Sequence, residues 1–187
     1  MEERDSPYGL LKREDTALVV IDVQERLFPF ITNREAVLAN IVTMIRFAKL
    51  LELPIIVAEQ IKLGPIVPEI RNELPGLDPI VKSEFSAMRC PEFAQRLEAL
   101  NKKSLVVVGI ETHVCVAQMV LHALSRYRVH VLADAVGSRS PDNWRVALER
   151  MRQAGAVISS TEMAMYELME RAGTDEFRAV LPLVKGA

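Results

Sequence analysis

Short apolar runs recur along the chain, almost without polar interruption, and segments of helical periodicity lie between them. Apolar runs of this length without alternation are typical of strands that are buried on both faces. Strands that alternate with helices form a parallel sheet with right-handed crossovers. The pattern predicts strands at 17–23, 55–58, 80–82, 105–110, 129–133 and 156–158.

The intervals between the strands carry the helical pattern, and a stretch rich in glycine and proline at 61–79 is predicted to be a loop. The first helix is predicted from about Asn33 to Leu51, where apolar residues share one face at a spacing of 3.6 residues. Later helices are predicted at 91–99, 114–126, 141–154, 159–171 and 175–183.

Several polar residues predict helix ends. Thr32 with Glu35 and Ser159 with Glu162 have the spacing of a capping box. Ser140 followed by proline is a good N-cap and first-turn pair, and Gly155 is expected just past the end of the same helix.

Six buried strands with helices on both sides give the fold class. We predict an α/β protein, a three-layer α/β/α sandwich with a Rossmann-like six-stranded parallel sheet, folded as one domain over residues 1–187. Half of the residues are hydrophobic, which is enough to bury a substantial core.

Charge and cysteine content exclude several function classes. A formal net charge of -2 gives no argument for binding to nucleic acid or to an anionic membrane, although folding could still cluster basic residues into a local patch. The N-terminal residues are acidic and polar, unlike a signal peptide, and no apolar run is long enough for a membrane helix. Two cysteines make no disulfide framework, so we expect a cytoplasmic protein with free thiols.

Polar residues at the strand ends are the candidates for chemistry, because sites in open parallel sheets lie beyond the carboxyl ends of the strands. Asp22 and Gln24 follow the first strand, and Lys82 closes the third. Cys115 lies in the first helical turn after the fourth strand, where a helix N-terminus stabilises anions and lowers a thiol pKa.

Each of these residues also has an ordinary structural interpretation. Asp22 could cap a turn, Lys82 could reach solvent along its aliphatic stem, and Cys115 could be a core thiol. Together they make chemical sense. A carboxylate can take the proton of a thiol, an ammonium can hold the resulting charge, and backbone N–H groups at a helix start can bind an oxyanion.

Familiar cofactor and nucleophile motifs are missing from the sequence. No G-x-G-x-x-G follows the first strand, and no P-loop, G-x-S-x-G or H-E-x-x-H motif is present. A dinucleotide cofactor and a serine nucleophile are therefore not expected, and we predict no cofactor.

Three segments resemble a known family. Residues 22–24, 82–87 and 109–116 resemble motifs of the isochorismatase-like cysteine hydrolases, and the likeness extends over about residues 14–172. The narrower group it resembles most is the isochorismatase domain-containing proteins. The resemblance implies a strand order of 3-2-1-4-5-6 and a homo-oligomer.

The resemblance also implies roles for single residues. Asp22 would be the base, Lys82 its electrostatic partner and Cys115 the nucleophile. A cis peptide would join Ile110 to Glu111, and the N–H groups of Glu111 and Cys115 would form the oxyanion hole. Relatives that bind a metal carry histidine after the second strand, where this chain has none, so no metal is predicted.

The function predicted from all of this is hydrolysis of a C–N bond in a small amide, or of a related acyl compound, through a cysteine thioester. Gln24, Phe28, Gln60 and Phe85 are expected to bind the substrate. Gln24 could instead fix the turn after the first strand, and Phe28 and Phe85 could be ordinary core residues. Two alternatives remain open at this point. One is a non-catalytic scaffold or binding protein of the same fold, and the other is a thiol redox protein in which Cys90 resolves an oxidised Cys115.

Overall fold

A computed structural model describes residues 9–185, and within them six parallel strands form one sheet. The strand order is β3-β2-β1-β4-β5-β6, which confirms the predicted order. The order reverses between β1 and β4, and ligands of open α/β sheets bind at such a switch point. The strands are β1 Thr16–Ile21, β2 Ile55–Gln60, β3 Ile80–Lys82, β4 Ser104–Ile110, β5 Arg128–Gly137 and β6 Val157–Ser159.

Helices cover both faces of the sheet, so the predicted three-layer sandwich is confirmed. Residues of α1, α6 and α7 pack on one face, and residues of α3, α4 and α5 pack on the other. Within the described part of the chain, no helix is both long and apolar enough to cross a bilayer. The helices are α1 Arg34–Leu50, α2 Pro68–Glu73, α3 Pro91–Ala99, α4 Ala117–Ala123, α5 Pro141–Gln153, α6 Thr161–Met169 and α7 Asp175–Lys185.

Strand β1 shows why the apolar runs do not alternate with polar residues. All six of its residues are buried. Leu18 and Val20 belong to the core under α1, whereas Val19 and Ile21 belong to the core under α3, α4 and α5. Each side chain meets a helix layer, so both faces of the strand require apolar residues.

Two of the predicted helix starts are corrected by the structure. The capping box of Thr32 and Glu35 is wrong, because Asn33 is the N-cap of α1 and makes no side-chain cap. The Thr32 hydroxyl instead donates to the carbonyl of Arg139, so a tertiary contact replaces the local one. The cap of α6 is Ser160 rather than Ser159, while the predicted Ser140 cap of α5 is confirmed.

Two further boundaries differ from the prediction. The segment 61–79 is not all loop, because α2 begins at Pro68, and proline is favoured in a first helical turn. Strand β5 continues past residue 133 to Gly137, with an irregular register opposite Val107 and Gly109. Asp134, one residue past the predicted strand, therefore lies within β5, and its carboxylate accepts from Thr161 at the start of α6.

The buried ring of His130 makes the stability of this fold depend on pH. His130 lies in β5 between Val106 and Val157, and neither ring nitrogen has a hydrogen-bond partner among the described residues. Burial, with a smaller contribution from the charge of Arg128, lowers the pKa of His130 from 6.5 to about 4. Between these values the unfolded chain binds a proton that the folded chain does not.

We therefore expect the free energy of unfolding to fall as the pH drops from 6.5 to 4, with His130 contributing about 3 kcal/mol at most. Urea titrations across this range check it. His130→Leu should remove this part of the pH dependence, whereas the exposed control His122→Gln should keep it. An unchanged slope in His130→Leu would contradict the assignment.

Candidate active site

A fully buried ion pair lies at the carboxyl end of the sheet. Lys82 Nζ lies 2.8 Å from Asp22 Oδ2, and both side chains have no exposed surface. A buried charge is costly unless it is paired, and this pairing supplies the partner. Lys82 therefore does not reach solvent, as one interpretation of the sequence allowed.

Gln60 lies at the end of β2, the strand between β1 and β3, and its side chain contacts Lys82 at the end of β3. The ammonium donates to Gln60 Oε1 at 2.7 Å, and Gln60 Nε2 donates to the carbonyl of Ser83 at 2.8 Å. One carboxamide oxygen from Gln60 and one carboxylate oxygen from Asp22 thus orient the ammonium of Lys82. Sequence reasoning placed Gln60 against the substrate and missed this contact, although its place at the end of the middle strand is the signal for it.

Gln24 fixes the turn that follows β1. Its side chain accepts from the main-chain N–H of Gln60 at 2.8 Å and donates to the carbonyl of the same residue at 2.9 Å. The amide also donates to the carbonyl of Gly64. These contacts hold the segments after β1 and β2 together, so the geometry supports the structural interpretation of Gln24, and its contact with substrate stays a prediction.

Gly109 brings the end of β4 against the end of β1. It has a φ of +127°, and a Cβ atom there would lie 2.1 Å from the carbonyl oxygen of Ile21. Only glycine permits this approach. The peptide bond between Ile110 and Glu111 is cis, and a single π-helical turn over Thr112–Val116 follows it and carries Cys115.

Cys115 lies beside the Asp22 carboxylate, and its residue retains 6% exposure. Oδ2 of Asp22 is engaged by Lys82, whereas Oδ1 is buried without a conventional hydrogen-bond partner among the described residues. Oδ1, the oxygen that Lys82 does not engage, is therefore available to take a proton, and the Cys115 thiol is close enough to hydrogen-bond the carboxylate. Asp22, Lys82 and Cys115 thus meet at one site, although they come from three separate strand ends.

The electrostatics of the site correct one prediction. Burial raises the pKa of Asp22, and the charge of Lys82 opposes that shift. Burial and the negative charge of Asp22 also raise the pKa of the Cys115 thiol. The predicted lowering by the helix N-terminus is therefore wrong, because burial, and after it the negative charge of the adjacent Asp22 carboxylate, disfavours the thiolate.

Other residues singled out from the sequence lie in different surroundings. Phe85 is 57% exposed, and Phe28 is half-buried and packs against the core under α1. Their roles in substrate binding stay predictions.

His113 Nδ1 lies 3.0 Å from Ser138 Oγ. The two cysteines are both free and buried, and Cys90 belongs to the same hydrophobic core as Cys115.

Fold and site together define a class of protein. It is a doubly wound α/β protein in which a thiol lies beside a buried carboxylate–ammonium pair at the switch point of the sheet. Residues 16–163 match the family model of the isochorismatase domain. The chain belongs to the isochorismatase family.

Named relatives cover most of this chain. The secreted isochorismatase effector Isc1 of Phytophthora sojae is 40% identical over 185 residues, which span 95% of this chain and 88% of that protein. Human isochorismatase domain-containing protein 2 is 35% identical over 174 residues, spanning 91% of this chain and 83% of that protein. The predicted group is thus confirmed, and because one relative is a secreted effector, a cytoplasmic location stays a prediction.

Solved structures show the same fold. The MAR1 ribonuclease of Caenorhabditis elegans has a TM-score of 0.88 at 32% identity, covering 95% of this chain and 93% of that chain. The YcaC gene product of Escherichia coli, described as an octameric hydrolase of unknown specificity, has a TM-score of 0.88 at 27% identity. It covers 97% of this chain and 95% of that chain.

The buried ion pair predicts a stability effect. Lys82→Met should lower the free energy of unfolding by about 3 kcal/mol at pH 7, because it leaves Asp22 buried without its cation. Urea denaturation measures this loss. The double variant Asp22→Asn with Lys82→Met should recover part of the loss, and equal stability of Lys82→Met and the wild type would contradict the pairing.

Proposed function

We propose that this protein is a hydrolase that cleaves the C–N bond of a small amide, or a related acyl bond, through a thioester on Cys115. The observation that carries the proposal is the buried Asp22–Lys82 pair beside the thiol. A pocket that buries a base, a cation and a nucleophile together is costly to keep without chemistry to perform. Membership of the isochorismatase family supports it.

In the first half of the reaction, Asp22 accepts the Cys115 proton while the sulfur attacks the carbonyl carbon. The N–H groups of Glu111 and Cys115 are proposed to hold the oxyanion. As the C–N bond breaks, Asp22 returns the proton to the leaving nitrogen, and an acyl thioester remains on Cys115.

In the second half, water attacks the thioester and Asp22 takes one of its protons. The C–S bond breaks, the proton passes to the sulfur, and the acid product leaves. Lys82 donates to Asp22 Oδ2 and holds the carboxylate in place. The raised pKa of Asp22 makes it a stronger base, which suits it to deprotonate a thiol whose own pKa is raised.

Replacing the nucleophile gives the first test. Cys115→Ala should abolish turnover of an amide found in a panel of small amides and carbamoyl compounds, with an unchanged circular dichroism spectrum. Cys90→Ala is the matched control and should keep turnover, because it removes the other buried thiol. Wild-type turnover in Cys115→Ala would refute the proposed nucleophile.

Replacing the base gives a test with two readouts. Asp22→Asn should abolish turnover, yet it should lower the pH midpoint of Cys115 alkylation by iodoacetamide, because the carboxylate charge raises the thiol pKa. Mass spectrometry of the labelled cysteine at several pH values gives the midpoint. An unchanged or higher midpoint in Asp22→Asn would contradict the proposed electrostatics. Slow labelling of the wild type at neutral pH is expected and does not favour the scaffold alternative.

The raised pKa of Asp22 also predicts the pH profile. The base must be ionised, so kcat/KM should fall as the pH drops through the pKa of Asp22, which lies above the usual carboxyl value of about 4. Stopped assays between pH 4 and 8 measure this acid limb. A profile that is flat down to pH 4 would show that Asp22 is not the base.

RNA is the second candidate substrate, because the C. elegans neighbour is named a ribonuclease. The net charge of -2 gives little attraction for phosphates, so we favour the small amide. A labelled RNA in the same panel separates the two, with Cys115→Ala as the control.

The redox alternative is tested by a search for a Cys90–Cys115 disulfide after mild peroxide treatment.

A homo-oligomer is part of the proposal, supported by the octameric E. coli neighbour. Exposed apolar side chains such as Phe30 and Phe85 are consistent with contact between copies.

A further inference from the structure

The side chain of Glu111 is buried on the loop that carries Cys115. Its main-chain carbonyl accepts from the N–H groups of Val114 and Val116 at 3.1 and 3.3 Å, so the turn that places the sulfur starts at this residue. Its carboxylate side chain is only 6% exposed. A carboxylate held this far from water needs donors, and the nearest sequence neighbours do not supply them.

The donors come from Arg139, which follows β5. Glu111 Oε1 accepts from the main-chain N–H of Arg139 at 3.0 Å and from its Nε at 3.1 Å. The Arg139 side chain is 60% exposed, and ion pairs with one solvent-exposed partner add little to stability. Two donors fixed on one oxygen do, however, define a position and an orientation.

Residues 138–140, here named the strap, connect the two halves of the site. His113 Nδ1 lies 3.0 Å from Ser138 Oγ, which is a second link from the cysteine loop. On the other side, Thr32 donates from its main-chain N–H to the carbonyl of Ser138 and from its hydroxyl to the carbonyl of Arg139. The strap therefore joins the segment after β1 to the loop after β4.

We infer that Glu111 and Arg139 form a positioning pair, which anchors the cysteine loop to the strap and so holds the Cys115 sulfur in line with Asp22. The inference rests on the proposed function and adds two side chains to its machinery, neither of which exchanges a proton or a bond with the substrate. A misplacement of about 1 Å can cost about 10²-fold in rate, so a loop of one turn benefits from a second anchor.

Two variants of Glu111 separate its shape from its charge. Glu111→Ala removes the acceptor and should lower kcat by about 10²-fold with KM changed less than about threefold. Glu111→Gln keeps an oxygen for both Arg139 donors and should recover at least about tenfold of that loss. Assays run well below the melting temperature, with melting curves recorded for every variant.

Two variants of Arg139 test the other side of the pair. Arg139→Ala leaves the main-chain donor and should lower kcat by about tenfold, and Arg139→Lys should not restore it, because lysine cannot place a donor where Nε lies. Arg152→Ala is the matched control. Arg152 is also an exposed arginine paired with a glutamate, Glu149, but it lies on the outer surface of α5.

Alkylation of Cys115 supplies a readout that needs no substrate. The negative charge of Glu111 contributes to the raised pKa of the thiol. The pH midpoint of iodoacetamide labelling should therefore shift down in Glu111→Gln and up in Arg139→Ala, while Arg152→Ala leaves it unchanged.

The outcomes separate the two claims. Opposite shifts of the labelling midpoint in Glu111→Gln and Arg139→Ala, with no turnover of any substrate, would support contact of the pair with the cysteine loop and refute the proposed function. Turnover in the wild type with kcat of Glu111→Ala and Arg139→Ala within twofold of it would refute the pair alone, as would a loss confined to KM. If Glu111→Ala fails to fold, Arg139→Ala against Arg152→Ala decides.

Discussion

The buried ion pair between Asp22 and Lys82 is the constraint on which the rest of the site depends. Two charges without exposed surface can coexist in an apolar core only when each satisfies the other. The pair ties the end of β1 to the end of β3 across an intervening strand, so Gln60 on that strand must be polar as well. The mechanism we propose takes its base, its cation and its geometry from this one contact.

A raised thiol pKa changes how the nucleophile is understood. A cysteine activated in the resting state would have a lowered pKa, whereas here burial and the Asp22 carboxylate keep the proton on sulfur. In our proposal the thiolate forms only as the carbonyl carbon arrives and Asp22 accepts the proton. Such a site protects its sulfur from casual alkylation and oxidation, since the thiolate is the reactive form.

Several residues at the site fix the position of the backbone around the reacting groups. The Gln24 amide joins the segments after β1 and β2, and Gly109 allows β4 to approach β1 closely enough for Cys115 to reach Asp22. Glu111 and the strap do the same for the loop after β4. Precise placement of reacting groups accounts for a large share of enzymatic rate acceleration, so in the mechanism we propose these contacts support the reacting groups.

The sequence alone determined the class of fold, because runs such as Leu105–Ile110 leave no polar face and can only be central strands of a covered sheet. It also brought Asp22, Lys82 and Cys115 forward as candidates, because sites of open parallel sheets lie beyond the carboxyl ends of the strands and because the segments that carry these residues resemble family motifs. The tertiary structure decided what depends on distant partners. These are the raised pKa of Cys115, the hydrogen bond from Lys82 to Gln60, and the hydrogen bond from Arg139 to Glu111. Hydrophobic periodicity is a local property of the chain, whereas an electrostatic field or a long-range hydrogen bond depends on groups that only folding brings together.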